Sequence, residues 1–153
     1  MTPEDRLAAL GLTLPPPNKP IANYVPYRWA GMLLYVSGQG PRRPDGTVRA
    51  GRLGRDMSIE EGYQEARLVG LHLLSVVKSA VGDLTRVEAV VKLLGMVNAE
   101  PDFGDHPKVI NGCSDVLVEV LGEAGRHARS AVGMGSLPNR MAVEIEAIFL
   151  IRE

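Results

Sequence analysis

The chain predicts an α+β fold: one sheet with two helices packed on a single face. Three observations lead there. Strand-like and helix-like segments follow the order β-β-α-β-α-β-β, and strands stand before and between the helices. At 153 residues, 45% hydrophobic and 23% charged, the composition is that of one globular domain. A chain this long buries about two-thirds of its unfolded surface, enough for a core without disulfides or a structural metal.

Pro3 to Leu10 reads as a short helix, and Leu14 to Pro20 as an extended arm, because each proline removes a backbone donor and restricts the residue before it. Residues 1 to 22 are therefore expected as an N-terminal helix and Pro-rich arm appended to a single domain over 23 to 153. Tyr24 to Trp29 and Met32 to Ser37 flank Ala30-Gly31, the pattern of a hairpin with a tight turn. Gly38 to Gly54 is rich in glycine, proline and arginine and reads as a loop with room for a short strand.

Ser58 followed by Glu61 is a capping-box pattern. From Ile59 through Tyr63, Ala66, Val69, Leu73, Val76 and Ala80 the apolar residues recur every three or four positions, so a helix is expected up to Gly82. Val87 to Val97 is β-branched and reads as a long strand broken by Pro101 to Gly104. A second helix is expected from Pro107 to Leu121, with Val109, Val116 and Val120 as its stripe and Asn111-Gly112 as an early interruption. Ala128 to Met134 and Met141 to Ile151 close the order as strands around the turn-rich Gly135 to Asn139. The sheet face away from the helices carries Ala142, Glu144, Glu146, Ile148 and Leu150, a mixture that suits a subunit contact better than open water.

Charge and cysteine narrow the function. Seventeen Lys plus Arg against 18 Asp plus Glu leave a net charge of −1, which argues against a protein that coats nucleic acid, and 5% aromatic residues leave few stacking platforms. The first twenty residues hold Glu4, Asp5 and Pro15-Pro16-Pro17, unlike a signal peptide, and no run of about 18 uncharged apolar residues predicts a membrane span. The lone Cys113 cannot form an internal disulfide, so a reducing, cytoplasmic setting is the expectation. On a helix beside Gly112 it reads as a small buried side chain rather than a nucleophile.

Phosphate-binding, nucleophile-elbow and zinc-protease motifs are absent, and His72, His106 and His127 are too dispersed to propose a metal from spacing, so no cofactor is expected. The informative residues are Arg129 and Glu144, on two strands that the chain order suggests are adjacent. A guanidinium can clamp a carboxylate through two hydrogen bonds, and a nearby carboxylate can orient or deprotonate water. The same residues could instead form a cross-strand ion pair, with Glu144 or Glu146 as the partner, worth roughly 0.2–1 kcal/mol. Spacing alone favours the ion pair.

Val36-Ser37-Gly38-Gln39-Gly40-Pro41 resembles the SGQ-x-P strand end of the RidA/YjgF/YER057c/UK114 family. Arg129-Ser130, Leu137-Pro138 and Val143-Glu144-Ile145-Glu146-Ala147-Ile148 resemble its C-terminal signature, in the same order. The resemblance runs from about Tyr24 to Ile151. It implies a chorismate-mutase-like fold assembled as a homotrimer, with sheets inside, helices outside and three clefts between subunits. It also implies cofactor-independent hydrolysis of reactive 2-imino or enamine acids to 2-oxo acids and ammonia, as by a 2-iminobutanoate/2-iminopropanoate deaminase, on a small carboxylated metabolite. In that reading Arg129 holds the substrate carboxylate and Glu144 positions water, while Tyr24, Ser37, Gly38 and Asn111 match pocket-lining positions.

The sequence also departs from the family pattern. Ala22-Asn23 replaces a frequent Gly-Pro, Val25-Pro26-Tyr27-Arg28-Trp29 replaces the usual continuation of the hairpin, and Ala131 stands where many members carry a cysteine. Two other functions stay open: a non-catalytic trimer that binds a small acid, and the family's older endoribonuclease or translation-inhibitor label. The last would use Arg42, Arg43, Arg49, Arg52 and Arg55 as a phosphate-contacting patch, against the simpler reading of a solvated loop.

Overall fold

A computed structural model describes residues 1–17, 19 and 22–153; of the expected arm, residues 18, 20 and 21 lie outside the described residues. The elements are α1 (Pro3–Ala9), β1 (Tyr27–Ala30), β2 (Leu33–Gln39), α2 (Ile59–Val81), β3 (Val87–Asn98), α3 (His106–Leu121), β4 (Ala128–Met134) and β5 (Val143–Ile151). They form the expected α+β arrangement, a single mixed sheet with α2 and α3 on one face. The Ser58 side chain accepts from the Glu61 backbone N–H while Glu61 reaches back to the Ser58 N–H, so the capping box forms as its residue types require.

The sheet order is β1-β2-β5-β3-β4, with β3 and β4 parallel and every other pair antiparallel. This corrects the expectation that β4 and β5 are neighbours. The α3 crossover lays β4 beside β3 in the parallel sense, as a strand-helix-strand unit does. The chain then turns through Pro138–Arg140 and β5 enters on the other side of β3, between β2 and β3. Its alternating Val143, Ile145, Ala147, Phe149 and Ile151 are all buried against the helices, which makes the centre of the sheet the favourable place for it. The opposite face of β5 carries Glu144, Glu146, Ile148 and Leu150. Ala142, expected there too, is buried ahead of the strand.

One further expectation is corrected. The helix α3 is continuous through Asn111-Gly112. Gly112 acts in packing instead: a Cβ there would collide with the Tyr63 carbonyl oxygen, so its bare backbone lets α2 and α3 lie close together. The expected N-terminal helix forms and packs on the domain. Leu7 is buried in the core, the Arg6 guanidinium donates to the Val120 carbonyl at 3.3 Å, and the Glu4 carboxylate accepts from the Leu84 N–H at 3.2 Å.

Cys113 is buried between the helices, and burial pushes its thiol up to about 12, which leaves it without thiolate character. Among the described residues, no helix is long and apolar enough to cross a membrane.

Candidate active site

Glu144 opens one half of the site. It follows buried Val143 and precedes buried Ile145, so strand alternation turns its side chain to the face away from the helices. There it lines a cavity of about 360 Å³ with Tyr24, Gly38, Gln39, Arg42, Asn139 and Met141 among its walls. The pairing of β2 with β5 shifts register between Val36 and Gln39, a bulge that sets Gly38 beside Glu144. A Cβ on Gly38 would lie 2.9 Å from Glu144 Oε2, so only glycine leaves the carboxylate in place.

Burial, and after it the neighbouring charge of Glu146, raises the Glu144 carboxyl above its ordinary 4.5. No donor among the described residues hydrogen-bonds to it. Ser37 stands behind this wall: its hydroxyl donates to the Val25 carbonyl at 2.7 Å and its N–H to the Pro26 carbonyl at 2.9 Å. These two bonds tie the segment carrying Tyr24 to β2. Tyr24, 51% exposed, is thereby held at the rim of the cavity.

Arg129 lies on the edge strand β4, with β3 between it and β5. It pairs with the fully buried Leu93 across the parallel β3–β4 ladder, so it points to the helix side. Its guanidinium donates to Ser114 Oγ at 2.9 Å and to the Pro107 carbonyl at 3.3 Å. His127 completes the support. Its Nδ1 is 2.6 Å from the Gly125 carbonyl, which can only accept, so Nδ1 carries the proton and Nε2 accepts from the Ser114 hydroxyl at 2.9 Å. Burial lowers the His127 pKa and keeps the ring in that neutral form. Pro107, Asn111 and Ser114 recur at helical spacing along one row of α3, which places half-buried Asn111 at the arginine rather than at the glutamate.

The expected Arg129–Glu144 pair is therefore not assembled within the chain. Met96, the partner of Glu144 across β3–β5, lies three positions from Leu93 and so on the opposite sheet face, with β3 between β5 and β4. No ion pair joins Arg129 to Glu144 or Glu146 among the described residues. The structure brings together Tyr24, Gly38 and Glu144, with Ser37 as their brace, and separately Arg129 and Asn111.

The hairpin residues Tyr27, Arg28 and Trp29 do not line the cavity; Tyr27 packs toward the core and Trp29 lies exposed on the edge strand. The basic loop is also less free than its composition suggests. Arg43 pairs with Glu65 at 2.7 Å, Arg49 pairs with Glu61, and Arg52 pairs with Glu100 at 3.4 Å. Residues missed by sequence reasoning are the supports Ser114 and His127 and the cavity walls Arg42 and Asn139. Nothing in local spacing marks them, since their roles arise from elements far apart in the chain.

The family model described as "YjgF/chorismate mutase-like, putative endoribonuclease" matches residues 4–146. The chain belongs to the RidA/YjgF family. Protein TCP17 of Trypanosoma cruzi, a relative within reach of direct comparison, is 45% identical over 143 residues, covering 93% of this chain and 89% of that protein. A crystal structure of an Agrobacterium tumefaciens protein of unknown function superposes with a TM-score of 0.91 at 46% identity, over 97% of this chain and 92% of that one. RidA from an Antarctic Psychrobacter superposes with a TM-score of 0.61 at 26% identity, over 91% and 96% of the two chains. Membership in the RidA/YjgF family suggests a small-molecule-processing or endoribonuclease-like role, and the match confirms the YjgF/chorismate-mutase-like fold.

Proposed function

We propose that this protein hydrolyses reactive 2-imino and enamine acids to 2-oxo acids and ammonia, without a cofactor, in a site shared between two copies of the chain. The observation that carries this reading is the Glu144 carboxylate: half-buried, raised in pKa, free of hydrogen bonds among the described residues and set in a cavity with Tyr24 and Gly38. A carboxylate in that state is suited to accept a proton from water. Arg129 is the natural anchor for a substrate carboxylate, because Ser114 and the Pro107 carbonyl hold its fork while guanidinium donors remain for a ligand.

Neither half suffices alone, and the chain sets them on opposite sheet faces. A neighbouring copy that brings its Arg129 to the Glu144 cavity completes the constellation, in keeping with a homotrimer whose three clefts lie between subunits. The mixed apolar and acidic face of Tyr35, Ile148, Leu150 and Glu146 is the surface such an assembly would cover. In the reaction, Glu144 takes a proton from water as its oxygen adds to the imine carbon, whose nitrogen takes up a proton. Glu144 then carries the carbinolamine's hydroxyl proton to its amine nitrogen, the C–N bond breaks, and ammonia leaves as the carbonyl forms. The imine is already electrophilic, so orientation and one placed proton acceptor supply the catalysis.

The endoribonuclease label draws less support, because three arginines of the basic loop already face carboxylates. The deciding experiment measures ammonia release from 2-imino acids generated in place by an amino-acid oxidase, corrected for spontaneous hydrolysis. Acceleration that is lost in both Arg129→Ala and Glu144→Ala is the expected result. Saturable binding of 2-oxo acids, lost in Arg129→Ala and unaccompanied by turnover, would replace the enzyme with a binding module.

A further inference from the structure

The cavity around Glu144 holds two cations for its one carboxylate. Lys19 and Arg42 are the other charged residues among its walls, and no carboxylate among the described residues pairs with either. A pocket for a ligand with a single negative charge, already clamped elsewhere by an arginine, has no use for them.

Arg42 is held in place by a costly arrangement. Its carbonyl accepts from His72 Nε2 at 2.8 Å, and its own guanidinium donates to the Gly46 carbonyl at 3.2 Å. The next residue, Arg43, turns onto α2, where it grips Glu65 through two hydrogen bonds of 3.0 and 2.7 Å. Glu65 and His72 stand two helical turns apart on α2 and are only 4% and 2% exposed. Burying a carboxylate and an imidazole is unfavourable unless partners compensate, and for both the partner is this one loop. His72 Nδ1 even has no hydrogen-bond partner among the described residues. Two buried polar groups thus fasten the loop to α2, with Arg43 bound inward and Arg42 at the boundary between the Glu144 cavity and a second one of about 450 Å³, both of which it lines together with Lys19.

We propose that the ligand of this cavity is a dianion, a dicarboxylic 2-imino or 2-oxo acid, whose distal carboxylate is held by Arg42 with Lys19 beside it. The proposal rests on the reading above that the cavity receives a small acid. A guanidinium fork matches a carboxylate with two charge-assisted hydrogen bonds, and the lysine adds a point charge. A cavity of about 360 Å³ has room for such an acid of four to six carbons.

The test uses two acids of equal length, 2-oxoglutarate and 2-oxopentanoate, which differ in the distal carboxylate. Their affinities for the full chain are measured by calorimetry at low salt. The dicarboxylate is expected to bind about tenfold tighter or more, as one charge-assisted pair provides. In Arg42→Gln that ratio falls toward one, and in Lys19→Gln it falls partway. Because the ratio is read within each variant, a loss of folded protein lowers both affinities and does not imitate the effect. Equal affinities in the native chain, binding of neither acid, or a preference that survives the Arg42→Gln/Lys19→Gln double variant would overturn the proposal. A preference for the dicarboxylate without any ammonia release from imines would instead remove the deaminase reading and leave the dianion site standing.

Discussion

Arg129 and Glu144 belong to the same sheet and face away from each other, with β3 between their strands. If a site uses both, each copy contributes one of them. Arg129→Ala and Glu144→Ala chains, each inactive alone, should then complement when co-expressed. Each site needs an intact arginine from one chain and an intact glutamate from the next, so an equal random mixture recovers about a quarter of native activity. Absence of any recovery in mixed oligomers would mean that the two residues do not meet across a subunit boundary.

Gly38 is expected to act on rate rather than on stability. A methyl group there meets the far end of the Glu144 side chain, which can swing aside at little cost to the fold. The displaced carboxylate no longer meets its water, and a misplacement of this size lowers turnover by about 100-fold. Gly38→Ala should therefore melt near the native temperature while ammonia release collapses. A variant with native turnover would show that the carboxylate position is not critical.

The acid side of the pH profile should report Glu144. As a base it works only when ionised, so activity is full above its pKa and is lost as pH falls through it. Burial and Glu146 raise that pKa, which places the limb above the ordinary 4.5. Glu146→Gln removes the smaller of the two causes, and the limb in kcat/KM should shift to lower pH while remaining above 4.5. A limb that does not move would assign it to another group.

The Arg43–Glu65 pair should be costly to break on one side. Arg43→Ala leaves Glu65, 4% exposed, as a buried charge without its partner, which costs about 3–5 kcal/mol in urea unfolding. Replacing both together, as in Arg43→Met/Glu65→Leu, should recover most of that loss because no unpaired charge remains. Similar stability in Arg43→Ala and the native chain would show that water reaches Glu65 freely.

Much of the fold is legible in the sequence for local reasons. Ser58 and Glu61 mark the start of α2, the apolar period of α2 and α3 selects their buried faces, and β-branched residues mark β3. The motif residues Ser37, Gly38, Arg129 and Glu144 were equally visible, because the resemblance resides in short contiguous strings. Asn111-Gly112 reads as a break in the sequence, yet a glycine that weakens an isolated helix here allows two helices to touch. The burial of Leu7 is not legible for a related reason: a short helix by itself says nothing about what it packs against.

The kind of each element, the order in which they occur and the residues equipped for acid–base and carboxylate chemistry depend on neighbours within a few positions, and all of these can be read along the chain. The insertion of β5 between β2 and β3, the support of Arg129 by Ser114 and His127, and the place of Arg42 in the wall of the Glu144 cavity emerge once the chain is packed. Strand order and register are set by which apolar faces can be buried together across long separations. A period of two tells which residues share a face, and it takes the packed sheet to tell which face it is.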